Sequence, residues 1–496
     1  MSYYLISIGG TGARCLEAFV NINGAGLLKD SQDVELVFVD ADKSCGNLTK
    51  TQETAELYNK IQNLNFGDNG LFKNKIIINE AWSPVPDDCD NLDVVFERVG
   101  LSNKEEYKSL SLLYDSLFTE QERKTDLDKG FRGHPAIGAA VMSQSMDTVN
   151  SKVWKTLTQK INTDKDARVF LFASVFGGTG AAGFPTIARI LHNSLKKGED
   201  GKSVANIGGV LVLPYFQFPP STDEMQKEMQ AKVSEFMINT KAALDYYRKS
   251  DLLDNIFKSI YLIGDNDLND VGNFSLGSTT QKNEANFIEL YAALAAVDFF
   301  NKKEFSNFES PMCARADGTN KIEWEDLPDC NADVRKKLQD YIKFLGIYKN
   351  FIYEILEEDR KIPIAKGFFK KAFGKKRIAW EETLLQKAGN VDIADNDAWN
   401  DFVTMKEYSN VFFSWLEQVT DNKKRQIDLV DKQIFEDKAL RGNFDYNSIV
   451  KRPDINEILT EKQINQKLAG YSVKDANVEN NNGIGILLNA VYKICK

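Results

Sequence analysis

The chain has 496 residues, 43% of them hydrophobic and 27% charged, a globular composition long enough for two or three domains, so disorder is not expected. A formal charge of -10 and a pI near 5.1 disfavour nucleic acid and anionic lipid as general partners, because phosphate-rich surfaces repel the protein's average field. Six scattered cysteines without a Cys-x-x-Cys pair, and only two histidines, indicate neither a zinc site nor a disulfide framework, and the opening residues read neither as a signal peptide nor as a membrane span, so a cytoplasmic location is expected.

In chain order, the apolar run Tyr3 to Ile8 reads as a strand that ends in Gly9-Gly10-Thr11-Gly12 and leads into a helix from Ala13 to Asn21. A second apolar strand, Val34 to Val39, ends in Asp40-Ala41-Asp42, placing two acids at its carboxyl end. Residues 46–129 are polar and mixed, and read as an insertion with one helical stretch from Lys104 to Phe118. Gly130-Phe131-Arg132-Gly133-His134-Pro135 then leads into a helix, followed by a strand from Arg168 to Val175, a second glycine loop from Gly177 to Gly183, and a helix from Pro185 to Leu195. Strand Gly209 to Leu213, helix Thr222 to Tyr247, strand Ser259 to Ile263 and helix Lys282 to Phe300 continue the alternation. Five strands alternating with helices predict an α/β fold with a Rossmann-like, doubly wound parallel sheet over residues 1–300. Residues 301–496 are charged and aromatic, and read as a second, mostly helical domain.

The two glycine loops carry the chemistry. Backbone N–H groups bared by small residues at a helix's positive end attract phosphate, although a tight strand-to-helix turn also calls for glycine on geometry alone. Two such loops on one sheet edge, the second with the Thr179 hydroxyl, suggest one long polyanion between them. No Gly-Lys-Ser/Thr follows either loop, which disfavours a P-loop. A nicotinamide-dependent oxidoreductase with Asp40 as its ribose acid is a remote alternative, since the third glycine of that fingerprint is missing.

These motifs, in this order, resemble the tubulin/FtsZ superfamily. Gly177-Gly178-Thr179-Gly180 followed by Pro185-Thr186-Ile187-Ala188 is similar to its diagnostic loop and the helix after it. Ile8 to Gly12 resembles the family's first glycine loop, Val39 to Asp42 the loop after its second strand, and His134 to Gly138 the segment that closes over the terminal phosphate. Val212 to Phe218 resembles the strand and loop leading to the ribose, and Asn283-Glu284-Ala285 the start of the long helix. Phe176 and Ala182 depart from the family's pattern by adding bulk to the second loop.

The resemblance implies a divergent bacterial tubulin-like protein that binds GTP or GDP and assembles with itself, as a filament, or with a partner. Gly9, Gly10, Thr11, Gly12, Gly177, Gly178, Thr179 and Gly180 would hold phosphates; Arg132, Gly133 and His134 would cover the terminal one; Phe216 and Phe218 would frame the ribose. Asn283 would read the base and Phe287, four residues on and expected on the same helix face, would stack on it. Asp40 and Asp42 would belong to the nucleotide site, with Mg2+ accompanying the triphosphate through waters near Asp42; no protein metal site is read otherwise. GTP hydrolysis in the family uses carboxylates supplied by a neighbouring subunit, for which Asp329 and Asp333 are the candidates here. A solvated acidic turn is the competing interpretation of that cluster, and a scaffold that senses nucleotide without hydrolysing it is the competing function. The basic stretch Lys366 to Arg377 is a solvated helix face or a contact for an acidic partner.

Overall fold

The structure, a computed structural model, describes the chain except residues 1, 65, 68, 104, 128–129, 132, 145–150, 199–204, 218–232, 250–254, 271–282, 306–307, 312–318, 362–378, 437–439, 441, 452–456 and 474–482. Arg132, Phe218 and the basic stretch 366–377 therefore lie outside the described residues.

Six strands form one wholly parallel sheet: β1 (Ser2–Ile8), β2 (Asp33–Val39), β3 (Ile76–Ile78), β4 (Arg168–Ser174), β5 (Asn206–Val212) and β6 (Ser259–Ile263). Their order is β3-β2-β1-β4-β5-β6, with Ile8 level with both Val39 and Ala173. Five of these strands are expected from sequence; β3 is not. It pairs with β2 through Ile76 and Val34 at the sheet's edge. Part of the supposed insertion therefore belongs to the sheet.

The helices that position the site are α1 (Gly9–Asn23), α2 (Gly46–Gln62), α3 (Lys108–Leu117), α4 (Pro135–Gln144), α5 (Lys152–Thr163), α6 (Gly178–Ser194), α7 (Val233–Lys249) and α8 (Phe287–Asn301). Alternation along each strand sends side chains to both faces, and both faces are covered, as a parallel sheet requires. Ile6, Ile8, Leu171, Ala173 and Leu211 pack with Trp154 and Leu157 of α5 and Phe184, Ile187 and Leu191 of α6. On the other face Tyr3 stacks on Phe300 of α8 at 4.5 Å, Phe170 meets Phe299 at 5.4 Å, and Phe19 of α1 meets Phe300 edge-on at 6.3 Å.

Pro185 sits inside α6, where it cannot donate to the carbonyl of Ala181. The Tyr247 hydroxyl takes that acceptor at 2.6 Å, so the helix continues without an orphaned carbonyl.

The chain divides into two compact units. The first holds Met1–Phe19, Gln32–Glu53 and Ile76–Ala316, and contains the sheet; the second holds Val20–Ser31, Thr54–Lys75 and Asp317–Lys496. This differs from a single cut near residue 300, because two earlier segments join the second unit. That unit is largely helical, built on α9 (Val334–Ile347), α10 (Asn396–Thr420) and α11 (Gly485–Cys495). Tyr341 and Tyr408 share a buried hydrogen bond of 2.7 Å, and the buried Lys343 is matched by Asp340 at 2.9 Å and by the Cys495 carbonyl at 2.6 Å.

Candidate functional site

β1 and β4 are neighbours at the centre of the sheet, but the chain leaves them in opposite directions. From β1 it passes through α1 to β2, and from β4 through α6 to β5. With right-handed crossovers the two helices cover opposite faces, and a crevice opens beyond the carboxyl ends of the strands at this switch point. Both glycine loops lie there, each forming the opening turn of its helix.

The loops touch. A Cβ placed on Gly9, whose φ of +74° is the left-handed conformation that favours glycine, would stand 3.2 Å from the Thr179 Cβ and 3.3 Å from the Gly180 nitrogen. A Cβ on Gly12 would meet the Phe172 carbonyl at 2.6 Å, and one on Gly180 the Ser174 carbonyl at 2.6 Å. Those two glycines are thus demanded by helix-to-strand packing. Gly10 differs, since its added Cβ would meet nothing nearer than the Asn47 amide at 3.4 Å, an ordinary contact. Packing gives no reason for a glycine at that position.

The third predicted segment joins the same place. A Cβ on Gly178 would lie 2.8 Å from the Phe131 Cβ and 3.2 Å from the His134 nitrogen, and the Asn239 amide of α7 donates to the Gly133 carbonyl at 3.1 Å. Phe131 is held by a small apolar cluster with Leu92, Leu127, Ile137 and Val141.

Asp40 and Asp42 follow β2. Asp40 is 6% exposed and accepts from the Asp42 backbone N–H at 3.2 Å. Burial pushes its carboxyl up from 3.8 to about 7, with the Asp42 charge adding to the effect and the backbone N–H groups of Asp42 and Ala41 opposing it. The Asp42 carboxylate accepts from the Ser44 hydroxyl at 2.7 Å and backbone N–H at 3.0 Å, tightening the turn that leads to Asn47.

Asn283 requires a correction. It does not share a helix face with Phe287, because α8 begins at Phe287 and Asn283 lies in the irregular segment before it. Asn286 is the N-cap, forming a capping box with Glu289 that starts the helix there. Phe287 is 5% exposed with its ring edge-on to Tyr291 at 6.3 Å. Asn283 nevertheless reaches the loops: its backbone donates to the Asn47 side-chain oxygen at 2.9 Å, and its own side-chain oxygen accepts from the Asn47 amide at 3.2 Å.

The residue that ties these parts together, and that sequence reading passes over, is Arg14. Its Nε donates to Glu289 at 2.6 Å, and its other nitrogens donate to the Tyr215 hydroxyl at 2.7 Å, to Thr11 at 3.4 Å and to Asn283 at 3.4 Å. The guanidinium also lies 5.6 Å from the centre of the Phe216 ring. Burial opposes its charge, but the Tyr215 hydroxyl and the Glu289 carboxylate more than offset that, holding its proton above the ordinary arginine range. Tyr215 donates in turn to Glu289 at 2.5 Å. Phe176, the bulky departure in the second loop, packs on Phe216 at 5.5 Å and Phe236 at 5.0 Å, so it is accommodated in an aromatic wall.

Asp329 and Asp333 belong to the second unit and are exposed, on a turn in which Cys330, Asn331 and Asp333 have φ of 52°, 52° and 54°. Among the described residues no group of three or more histidine, cysteine or acidic side chains could hold a metal ion, and no helix is long and apolar enough to cross a membrane.

No protein-family model matches the chain, and no curated protein matches it. Among solved structures it is similar to CetZ2 from Haloferax volcanii, described as a GTPgS-bound protofilament, at 14% identity with a TM-score of 0.26. That match covers 53% of this chain and spans about half of the other, 49%. At that score no residue of one chain is set against a residue of the other, and the site stands on its own geometry.

Proposed function

We propose that this chain binds a nucleoside triphosphate, with guanine preferred, and assembles with further copies in a nucleotide-dependent way, in the manner of the tubulin/FtsZ superfamily its motifs resemble. The observation that carries the proposal is the meeting of the Gly9–Gly12 and Gly177–Gly180 turns at the switch point of the sheet, where two helix N-termini add their partial positive charge. Gly10 strengthens it, being a glycine that packing does not require. The loops hold the phosphates, Gly133 and His134 cover the terminal one, Phe216 lies beside the ribose, and Asn283 reads the base, braced by Asn47 and Arg14.

Mg2+ accompanies the triphosphate, held mainly by phosphate oxygens and water. Asp42 is the carboxylate placed with it, and burial shifts the neighbouring Asp40 toward its neutral form, which lessens its repulsion of the anion.

Hydrolysis falls to Asp329 or Asp333 of a neighbouring copy, both exposed and hence accessible to one. A scaffold that binds nucleotide without turnover is the alternative. Titration of emptied protein with GTP, ATP and NAD tests the binding proposal; turnover per subunit that climbs with protein concentration supports a shared hydrolytic site, and flat, negligible turnover supports the scaffold.

A further inference from the structure

An asparagine side chain ends in an acceptor oxygen and a donor NH2, and the end that meets a ligand decides which ligand groups it can recognise. At Asn283 the surrounding hydrogen bonds settle which end that is.

Asn47, in the first turn of α2 and 1% exposed, accepts from the Asn283 backbone N–H at 2.9 Å. A backbone N–H can only donate, so the Asn47 atom facing it is the oxygen, and the other end of that carboxamide is a donor. This donor meets the Asn283 side-chain oxygen at 3.2 Å. Arg14 brings a second donor to the same oxygen at 3.4 Å, and a guanidinium has no acceptor to offer. Arg14 is itself anchored by Glu289 at 2.6 Å and by the Tyr215 hydroxyl at 2.7 Å. Turning the Asn283 carboxamide over would set its NH2 against both donors and leave buried groups unpaired, so the oxygen is held inward.

The NH2 is what remains. Among the described residues it has no hydrogen-bond partner, and Asn283 is partly exposed where Arg14 and Asn47 are buried. The group stands beside the first glycine turn, since a Cβ on Gly10 would lie 3.4 Å from the Asn47 amide and Arg14 also donates to the Thr11 hydroxyl at 3.4 Å. A base bound there meets a donor and no acceptor from this side chain.

Purines differ at this point. Guanine and hypoxanthine carry an acceptor oxygen at C6, whereas adenine and 2,6-diaminopurine carry an NH2 there that would face Asn283 donor to donor. The 2-amino group of guanine and diaminopurine needs an acceptor, and Asn283 has none left.

We propose that Arg14 and Asn47 are positioning residues that lock Asn283 as a donor, so that the site selects 6-oxopurine nucleoside triphosphates by their C6 oxygen and is blind to the 2-amino group. This rests on the reading in which Asn283 meets the base of a triphosphate held by the glycine turns, and adds which edge of that base is read.

Calorimetric titration of the nucleotide-free full chain with GTP, inosine triphosphate, ATP and the triphosphate of 2,6-diaminopurine riboside tests it. GTP and inosine triphosphate are expected within about threefold of each other, and the two 6-amino ligands about tenfold or more weaker. Asn283→Asp keeps the shape and both inward bonds but turns an oxygen to the base; the ratio of ATP to GTP affinity is expected to rise about tenfold or more, the added charge acting on both triphosphates alike. Asn47→Ala removes one lock and is expected to shrink the GTP-over-ATP preference about threefold or more, a readout that lost packing alone does not move. Inosine triphosphate about tenfold weaker than GTP, with the diaminopurine ligand matching GTP, means that the 2-amino group is read and overturns the proposal. Four equal affinities, or a GTP-to-ATP preference unchanged in both variants, overturn it as well. Each of these results leaves triphosphate binding itself standing. If none of the four ligands binds, the nucleotide reading falls and this inference falls with it.

Discussion

Replacing Arg14 by methionine removes one half of a buried ion pair while keeping most of the side chain's bulk. Arg14 and Glu289 are 4% and 0% exposed, and the two groups are 2.6 Å apart. With the guanidinium gone, Glu289 keeps only the Tyr215 hydroxyl and the Asn286 backbone N–H as donors, at 2.5 Å and 2.9 Å. Leaving a buried charge without its counterion costs about 3–5 kcal/mol, which is a large part of the stability of an ordinary domain. Adding Glu289→Leu removes the stranded charge, and the remaining cost falls to about 1–2 kcal/mol, mostly the lost capping bond at the start of α8. The double variant is therefore expected to be more stable than Arg14→Met alone. The chain has two units, so bulk unfolding is not expected to be a single two-state transition; urea-dependent hydrogen exchange at amides of α1 and α8 follows the relevant unit by itself. If Arg14→Met costs less than about 1 kcal/mol, or if the second substitution only adds to the loss, the pair is not the buried keystone described here.

Three further outcomes are expected. Gly10→Ala should leave the stability of the sheet-bearing unit within about 0.5 kcal/mol of wild type while weakening GTP binding about tenfold or more, whereas Gly12→Ala should destabilise that unit because its Cβ meets the Phe172 carbonyl at 2.6 Å; calorimetric titration paired with urea-dependent hydrogen exchange separates the two effects. Asp40 has a folded pKa raised by burial from 3.8 to about 7, so the stability it contributes is fully present below about pH 4 and is lost as pH rises to 7. Stability should fall across that window by up to about 1.4 kcal/mol per pH unit, and Asp40→Asn should flatten the slope in the sheet-bearing unit's stability, followed by urea-dependent hydrogen exchange from pH 4 to 8. Asn47→Ala breaks both bonds that orient Asn283, at 2.9 Å and 3.2 Å, and should weaken GTP more than base-free ribose triphosphate by about 1–2 kcal/mol in competition binding.

Most of the parallel sheet is legible in the sequence because its strands are near-continuous apolar runs bounded by glycine or acidic turns, and a strand buried on both faces has that signature. β3 escapes notice because three isoleucines in a polar stretch are too short to show a period. The onset of α8 is misplaced although its signal is present: Asn286-Phe287-Ile288-Glu289 has the Asn-x-x-Glu spacing of a capping box. The glycine loops are found from composition and position, but the finding that the helices already begin within them, at Gly9 and at Gly178 with Gly177 as N-cap, comes only from the coordinates.

Arg14 carries no signal that could pair it with Glu289, 275 positions away. A lone arginine at the start of a helix reads as surface. Only the fold brings Thr11, Tyr215, Asn283 and Glu289 around one guanidinium, and only then does Arg14, two residues past the first glycine loop, become the brace of the site. The division into two units is illegible for a similar reason: Val20–Ser31 and Thr54–Lys75 join the C-terminal unit through contacts distant in sequence.

The most direct test is to denature the purified protein, chromatograph what is released, and then titrate GTP, ATP and NAD onto the emptied wild type and onto Gly10→Ala. One guanine nucleotide per chain, with GTP the tightest ligand and its binding lost in Gly10→Ala while the fold is kept, is the predicted result. Binding of a dinucleotide alone, binding indifferent to Gly10→Ala, or no binding at all would contradict the placement of a triphosphate between the two glycine turns.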